Sequence, residues 1–599
     1  MRVLVLLLAS LPLLVCTLAS AGAPKTASFL KHSDVVSMGG ASPETCRAFS
    51  ISVIDWGGRP DREADVAAFR TRALDPLRAM GVRYIGSVGM VTEFARFMEY
   101  DPQWEQAVCL TARGERIRVP WLWDHSHEGN PAYWFCTNNP RYRKFLREQV
   151  TLAARSGMEG VHIDDHLGAA ATGWIGGCFC DNCVAGFRDY LRAHVPPARL
   201  KEAGVDDPAT FNYRDFVRAW LDAHPEQRAI EAPLADDYRV YQYRAAEGVM
   251  ADLRDTALRA AGHDLAFGAN AGLPDTGSLT DYRVLTQFSC EVGQDAEKGP
   301  TAENTNAVLA YKLAAALKRP LTATASGQDW AFVKANTRPE LVRTWIAQAY
   351  AFGQFFMTMH HEWCYTEKLG THWYDGPPEE YGPTYRFVRE HPALFDGQES
   401  AAQVAVLSST GAARRGEGKV DEMVRALLAA QVPFDFVVAG DEWVPARLTE
   451  ADVRRYQRVL VSPDLHLDAA QQAVLDHLRK AGRLVTWQGP ETLRALPVSG
   501  VKINGSDQVW AVLRRNAKGS GVCHLLNRDY DATTDRVRRT GVLHVTIPAG
   551  TLPGKCSAAV LYAPGAAPVR LEVKPTRDGV SLDVPGLGVW GVVELSNRP

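Results

Sequence analysis

Between residues 45 and 395 the chain alternates short apolar runs with longer amphipathic ones, eight times over. This repeat narrows the fold more than any other feature. The runs at 48–56, 82–90, 118–126, 160–166, 264–272, 284–292, 320–327 and 353–363 have strand length and are rich in β-branched and aromatic residues. Stretches between them, such as READVAAFRTRALDPLRAM and NAVLAYKLAAALK, have helical spacing. Strands that read as nearly continuous apolar runs suit a parallel sheet covered on its face by crossover helices. Eight strand–helix units predict an α/β chain whose first domain, 45–398, is a (β/α)₈ TIM barrel. The interval from 167 to 245, between the fourth and fifth predicted strands, is a long insertion.

A chain of 599 residues needs more than one core. Residues 401–497 read as a small βαβαβ module, a doubly wound, flavodoxin-like domain. It lacks G-x-G-x-x-G, so no nucleotide is assigned to it. Residues 503–599 alternate apolar and polar positions between turn residues, which predicts an antiparallel β-sandwich. Arg2, the apolar stretch after it and Ala19-Ser20-Ala21 form a signal peptide over 1–21, which predicts a secreted or periplasmic protein. No later run is long enough to span a membrane. Lys plus Arg is 66 against 69 Asp plus Glu, so no basic excess points to nucleic acid.

Cys178, Cys180 and Cys183 form C-x-C-x-x-C within the insertion, and Cys136 lies upstream in YWFCTNNP. Thiolates at this spacing suit a structural Zn²⁺, which four sulfurs enclose tetrahedrally. Export also permits disulfides, so bridging is the alternative reading. Cys523 and Cys556 are a candidate disulfide in the terminal β region. Cys46, Cys109, Cys290 and Cys364 read as buried free thiols.

In a barrel of this kind the functional side chains sit at the C-terminal ends of the strands. On GVHIDDH the alternation turns His162, Asp164 and His166 inward and leaves Asp165 on the rim. QFSCEV ends in Glu291, on the same face as Gln287 and Ser289. Asp164 and Glu291, delivered by different strand tips, can flank a glycosidic bond, one attacking or stabilising the anomeric carbon and the other protonating the leaving oxygen. Asp165 tunes the pair, and Glu362 in TMHHEW is a reserve acid. Asp55, Trp56, Trp123, His125, His166, Asn270, His361, Trp363 and Trp330 are candidate sugar contacts. His125-x-His127 is a weak metal-site pattern.

The cysteine tract, the barrel, the doubly wound module and the terminal sandwich together resemble the glycoside hydrolase family 42 β-galactosidases and related (β/α)₈ glycosidases. The resemblance implies zinc on Cys136, Cys178, Cys180 and Cys183, and a trimer formed through the doubly wound module. It also sets two departures. The family's Asn-Glu pair at the end of strand four is matched here by Asp165 and His166. Its nucleophilic Glu at the end of strand seven has no counterpart in TATASG. The strand-four acid is closer to α-galactosidase-like barrels, which use an Asp on strand four and an acid on strand six. The expectation is therefore an exported glycoside hydrolase working through Asp164 and Glu291 on an oligo- or polysaccharide. Two rivals use the same residues: a metal-dependent hydrolase built on His125, His127 and Asp164, and a non-catalytic carbohydrate-binding barrel.

Overall fold

The computed structural model describes residues 29–597 except 276–278, 497–499, 518 and 553–555. The expected signal peptide lies outside the described residues. Eight parallel strands form one sheet in chain order: β1 (Val36–Met38), β2 (Val53–Gly57), β3 (Arg83–Gly89), β4 (Gly160–Asp164), β5 (Ala266–Ala269), β6 (Gln287–Glu291), β7 (Leu321–Thr324) and β8 (Phe355–Phe356). A parallel bridge joins Ser37 to Thr358, whose N–H donates to Val36 O at 2.8 Å, so the sheet is a nearly closed barrel.

The alternation within β4 shows how the sequence builds this wall. Val161 and Ile163 are fully buried and belong to the main hydrophobic core, beneath the helix Pro140–Arg155. That helix begins on Pro140, preceded by Asn139, whose side chain accepts from Arg141 N–H. His162 points the other way, into the barrel, where it is also fully buried.

Two expectations need correction. The run 118–126 is no barrel strand. Pro120 opens a short 3₁₀ turn, Pro120–Leu122, and the chain then makes a small hairpin, Ser126–His127 with Asn130–Pro131. Proline withholds the N–H that a central strand must donate, and this segment instead pairs locally, Arg118 with Tyr133. The missing strand is β1, ahead of residue 45. Its three residues are too short to show a period, and Gly39-Gly40 ends it at once. The two errors offset each other, so β4 remains the fourth strand. The expected eighth strand, 353–363, is also cut short. Only Phe355–Phe356 joins the barrel, and Glu362 opens an antiparallel hairpin, Glu362–Thr366 with Gly370–Tyr374.

Beyond the barrel, a four-stranded parallel sheet runs in the order Phe434–Ala439, Val404–Ser409, Arg458–Val461, Leu484–Thr486. It docks on the barrel through a buried ion pair, Lys312 Nζ to Asp435 Oδ1 at 3.1 Å, with Arg455 on the other carboxylate oxygen at 2.7 Å. The C-terminal region holds a six-stranded and a four-stranded antiparallel sheet, whose apolar faces share a core that includes Leu525, Val593, Val545 and Leu582. Cys523 and Cys556 are both free thiols, against the expected disulfide. Cys523 is fully buried in that core, and the Cys556 thiol donates to Ala558 O. Cys46, Cys109, Cys290 and Cys364 are buried and free, as expected. No helix among the described residues is long and apolar enough to cross a membrane.

Candidate active site

The tips of β4 and β6 are joined by one side chain. Asn270, one residue past β5, donates from Nδ2 to Asp164 Oδ1 and to Glu291 Oε2, each at 3.3 Å. Its Oδ1 in turn accepts the Glu291 N–H at 3.3 Å. The two carboxylate oxygens therefore lie no further apart than twice that 3.3 Å bond. Asn270 is itself anchored by His166, whose Nδ1–H donates to Asn270 O at 2.7 Å. Its carbonyl can only accept, so this bond fixes which imidazole nitrogen carries the proton.

Asp164 receives a second donor, the Asp165 N–H at 3.0 Å. That bond comes with a left-handed backbone at Asp165 (φ 53°), uncommon outside glycine and costly enough that the surroundings must enforce it. Asp165 Oδ2 is buried without a hydrogen-bond partner. Glu362, from the hairpin after β8, is fully buried; Thr324 Oγ1 donates to its Oε2 at 2.7 Å, and its Oε1 is unpartnered. Glu362 thus stands beside the tip of β7, where the sequence offers no acid of its own. Deeper in the barrel Asp55 accepts from Trp56 N–H, Ser289, Gln287 and Thr322, while the Trp56 ring stacks on His162 with centroids 4.4 Å apart.

Four crowded carboxyl groups in a partly dehydrated mouth cannot all ionise freely. Burial, then the Asp164 charge, pushes Glu291 up to about 7. Burial pushes Glu362 up to about 8, with the Glu291 charge adding to it. Asp165 is raised well above the carboxylate range by burial and then by the charges of Asp164 and Glu291. Burial raises Asp164 too, but the Asn270 and Asp165 donors pull it back. Asp164 is thus the member of the set best held as an anion, while Glu291, at about 7, keeps its proton up to neutral pH and can still release it. Burial alone holds Asp55 up at about 6 against its four donors, and it keeps His162 neutral.

These shifts predict a pH dependence of stability. Asp55, Glu291 and Glu362 have folded-state values of about 6, 7 and 8, above the roughly 4 of an unfolded carboxyl. A group raised in the fold contributes its full stability below its unfolded value and loses it as pH rises through the folded one. Stability should therefore fall from pH 5 to about pH 8, by about 1.4 kcal/mol per pH unit for each group still protonated in the fold and already ionised in the unfolded chain, and the melting temperature should fall with it. Glu362→Gln, which cannot ionise, should flatten the upper part of that slope. An unchanged slope in the variant would remove Glu362 from the account.

The structure brings Asp164, Asp165, Glu291, Glu362, Asn270, His166, Asp55 and Trp56 together. It does not do so for Trp123 and His125, which lie on the loop after β3. There the His125 Nδ1–H donates to Asp124 at 3.0 Å, and His127 lies 3.7 Å from Glu99. Trp330 is fully buried, its Nε1–H donating to Thr324 Oγ1, so it supports the mouth from below. His361 lies just before the hairpin after β8, and Trp363 lies on it. Trp363 lies over Gly327, where a Cβ would stand 2.6 Å from the ring. Sequence reasoning missed Glu93, which forms an ion pair with the buried Arg59, accepts from Gly89 N–H at the tip of β3 and raises Asp164 by its charge. It also missed Asp281, fully buried 3.9 Å from His166 Nε2. Neither residue belongs to a strand, so no periodicity marks it.

The cysteine cluster forms as the spacing implies. The Sγ atoms of Cys136, Cys178, Cys180 and Cys183 lie within 4.8 Å of one another, all buried and none in a disulfide. Cys136 is 3.4 Å from Cys183 and 3.5 Å from Cys180, close to the roughly 3.8 Å edge of a tetrahedron with Zn–S bonds of about 2.3 Å. The donor set therefore fits zinc. Among the described residues this is the one group of three or more His, Cys, Asp and Glu placed so that it could hold a metal ion. His125, His127 and Asp164 make no such group, which leaves the metal-hydrolase rival without a centre.

No protein-family model matches the chain. An alpha-agarase from Alteromonas agarilytica is 23% identical over 568 residues, covering 90% of this chain and 39% of that protein. The chain thus spans well under half the length of this curated relative. Among solved structures, alpha-L-fucosidase isoenzyme 2 from Paenibacillus thiaminolyticus matches with a TM-score of 0.61 at 14% identity, covering 95% of this chain and 100% of that one. A beta-galactosidase from Bacillus circulans sp. alkalophilus matches with a TM-score of 0.58 at 12% identity, covering 94% and 99%. These two share the fold with this chain from the barrel to the terminal sheets.

Proposed function

We propose that this chain is a retaining glycoside hydrolase acting on a polysaccharide of the agar type, with Asp164 as nucleophile and Glu291 as general acid and base. The observation that carries the reading is the Asn270 amide, which donates to both carboxylates and so bounds their separation. Retaining enzymes hold the pair about 5–5.5 Å apart and inverting ones about 6.5–9.5 Å, so a bound of two 3.3 Å bonds favours retention.

Glu291 carries its proton to the glycosidic oxygen as Asp164 Oδ2, free of the Asn270 bond, attacks the anomeric carbon. The leaving chain departs with that proton, and the sugar is held as an ester on Asp164. Glu291, now ionised, takes a proton from water, whose oxygen attacks the same carbon and releases Asp164. The relative named alpha-agarase supports the substrate class. The test is proton NMR of the first-formed reducing end, recorded before mutarotation. Retention of the anomeric configuration supports the assignment, and inversion removes Asp164 from the nucleophile's role.

The same reading includes a structural zinc on Cys136, Cys178, Cys180 and Cys183. The ion would pin the long excursion after β3 to the insertion after β4, with no part in bond cleavage. It also includes export by the signal peptide. The parallel four-stranded sheet is read as a flavodoxin-like module able to mediate trimer contacts.

A further inference from the structure

We infer that Trp123, Trp174 and Trp373 are the platforms of remote sugar subsites, so that long chains are bound and cleaved in preference to short ones. This inference rests on the carboxylate site being a glycosidase centre, and it extends that centre outward.

The chain has fifteen tryptophans, and the protein hides most of them; Trp134, Trp330, Trp345 and Trp487 are fully buried. Three are strongly exposed: Trp123 at 56%, Trp174 at 57% and Trp373 at 44%. All three lie on segments that leave the C-terminal ends of barrel strands: the loops after β3 and β4 and the hairpin after β8. The outer helices, the opposite end of the barrel and the two following domains present no such tryptophan among the described residues. Exposed indoles are unfavourable surface, and their restriction to the face that bears the carboxylates asks for a ligand there.

The rings are held in place. Trp373 stacks on His361 with centroids 4.3 Å apart and planes 5° from parallel, and His361 Nδ1–H is fixed by Asp375 at 2.7 Å. Lys334 Nζ donates to Trp373 O at 2.7 Å. Asp124, next to Trp123, accepts the Thr371 N–H at 3.0 Å from the same hairpin, two residues before Trp373. Loops from β3 and β8 are thereby tied into one wall. Trp174 belongs to the 3₁₀ helix Gly168–Ile175, which begins two residues after His166.

The arrangement also selects the ligand. A protein partner would call for one contiguous apolar patch, whereas these rings come from three separate segments that follow barrel strands. Flat indole faces at intervals suit a chain of rings with apolar C–H faces and hydroxyl edges, which is a polysaccharide.

The test uses Ala and Phe variants at Trp123, Trp174 and Trp373 in the full chain. One arm measures kcat/KM on agarose and on the shortest agar oligosaccharide that is cleaved. The other measures retardation of Asp164→Asn protein, with and without each Trp→Ala change, in native gels containing agarose. The ratio of long-chain to short-chain kcat/KM should fall at least about tenfold for each Trp→Ala change, and Phe should restore most of it. Retardation should weaken in step. An unchanged ratio, or an equal loss on chains of every length, would overturn the inference while leaving the catalytic assignment in place. If the wild type cleaves no saccharide, the catalytic reading falls and the gels alone decide. Tryptophan-dependent retardation then upholds the subsites, and its absence removes them.

Discussion

Asp164→Asn should leave the protein folded and lower kcat by about 10³-fold or more, and Glu291→Gln should lower it by about 10²–10⁴-fold. The two losses differ in kind. Without Asp164 no glycosyl ester forms, so the deficit should hold for every leaving group. Added azide should rescue Asp164→Ala, giving a glycosyl azide of inverted configuration. Without Glu291 proton donation to the leaving oxygen and activation of the water are both lost, so aryl glycosides with acidic leaving groups should retain most of the first step but not the second. Glu291 sits at about 7 through burial and the charge of Asp164, so wild-type activity should decline above that pH, and Glu291→Gln should abolish the decline. The crowding that tunes these groups is also destabilising, because burial raises all four carboxyls of the mouth. Either substitution should therefore raise the melting temperature slightly while activity collapses. Full activity in both variants would end the assignment.

Metal removal is expected to have the second large effect. Purified protein should contain about one zinc per chain, and Cys178→Ser or Cys180→Ser should lose it and lower the barrel's melting temperature by about 10 °C. The cause is mechanical. Cys136 belongs to the excursion after β3, and the other three belong to the insertion after β4; the metal would tie both to one point. Without it four buried thiols remain crowded within 4.8 Å of one another, with Asn138 Nδ2 donating to Cys183 at 3.3 Å. Cys46→Ser and Cys523→Ser, which alter thiols far from this cluster in the chain, should keep the zinc. Metal-free protein with an unaltered melting curve would show that the four sulfurs hold nothing.

Much of this site was legible before any coordinates. Strand-end position and two-residue alternation select Asp164 and Glu291, because both acids close continuous apolar runs where a barrel places its chemistry. The C-x-C-x-x-C spacing selects three of the four clustered thiols by local geometry alone. TMHHEW reads as the end of the last barrel strand, whereas the structure delivers Glu362 to the tip of β7 from a separate hairpin. WLWDH alternates as a strand does, which puts Trp123 and His125 in the barrel by period alone; Pro120 and the pairing of Arg118 with Tyr133 take that segment out of the sheet.

The amino-acid order by itself determined the α/β repeat, the two acids that end β4 and β6, and the cysteine tract. Each of these is a pattern within a few neighbouring residues, where backbone geometry sets the period. Only the tertiary structure decided that Val36–Met38 begins the barrel, that one Asn270 amide spans both acids, and which tryptophans stay exposed. Those facts depend on contacts between segments up to several hundred residues apart. Such contacts arise from sheet register and closure, which no local period encodes.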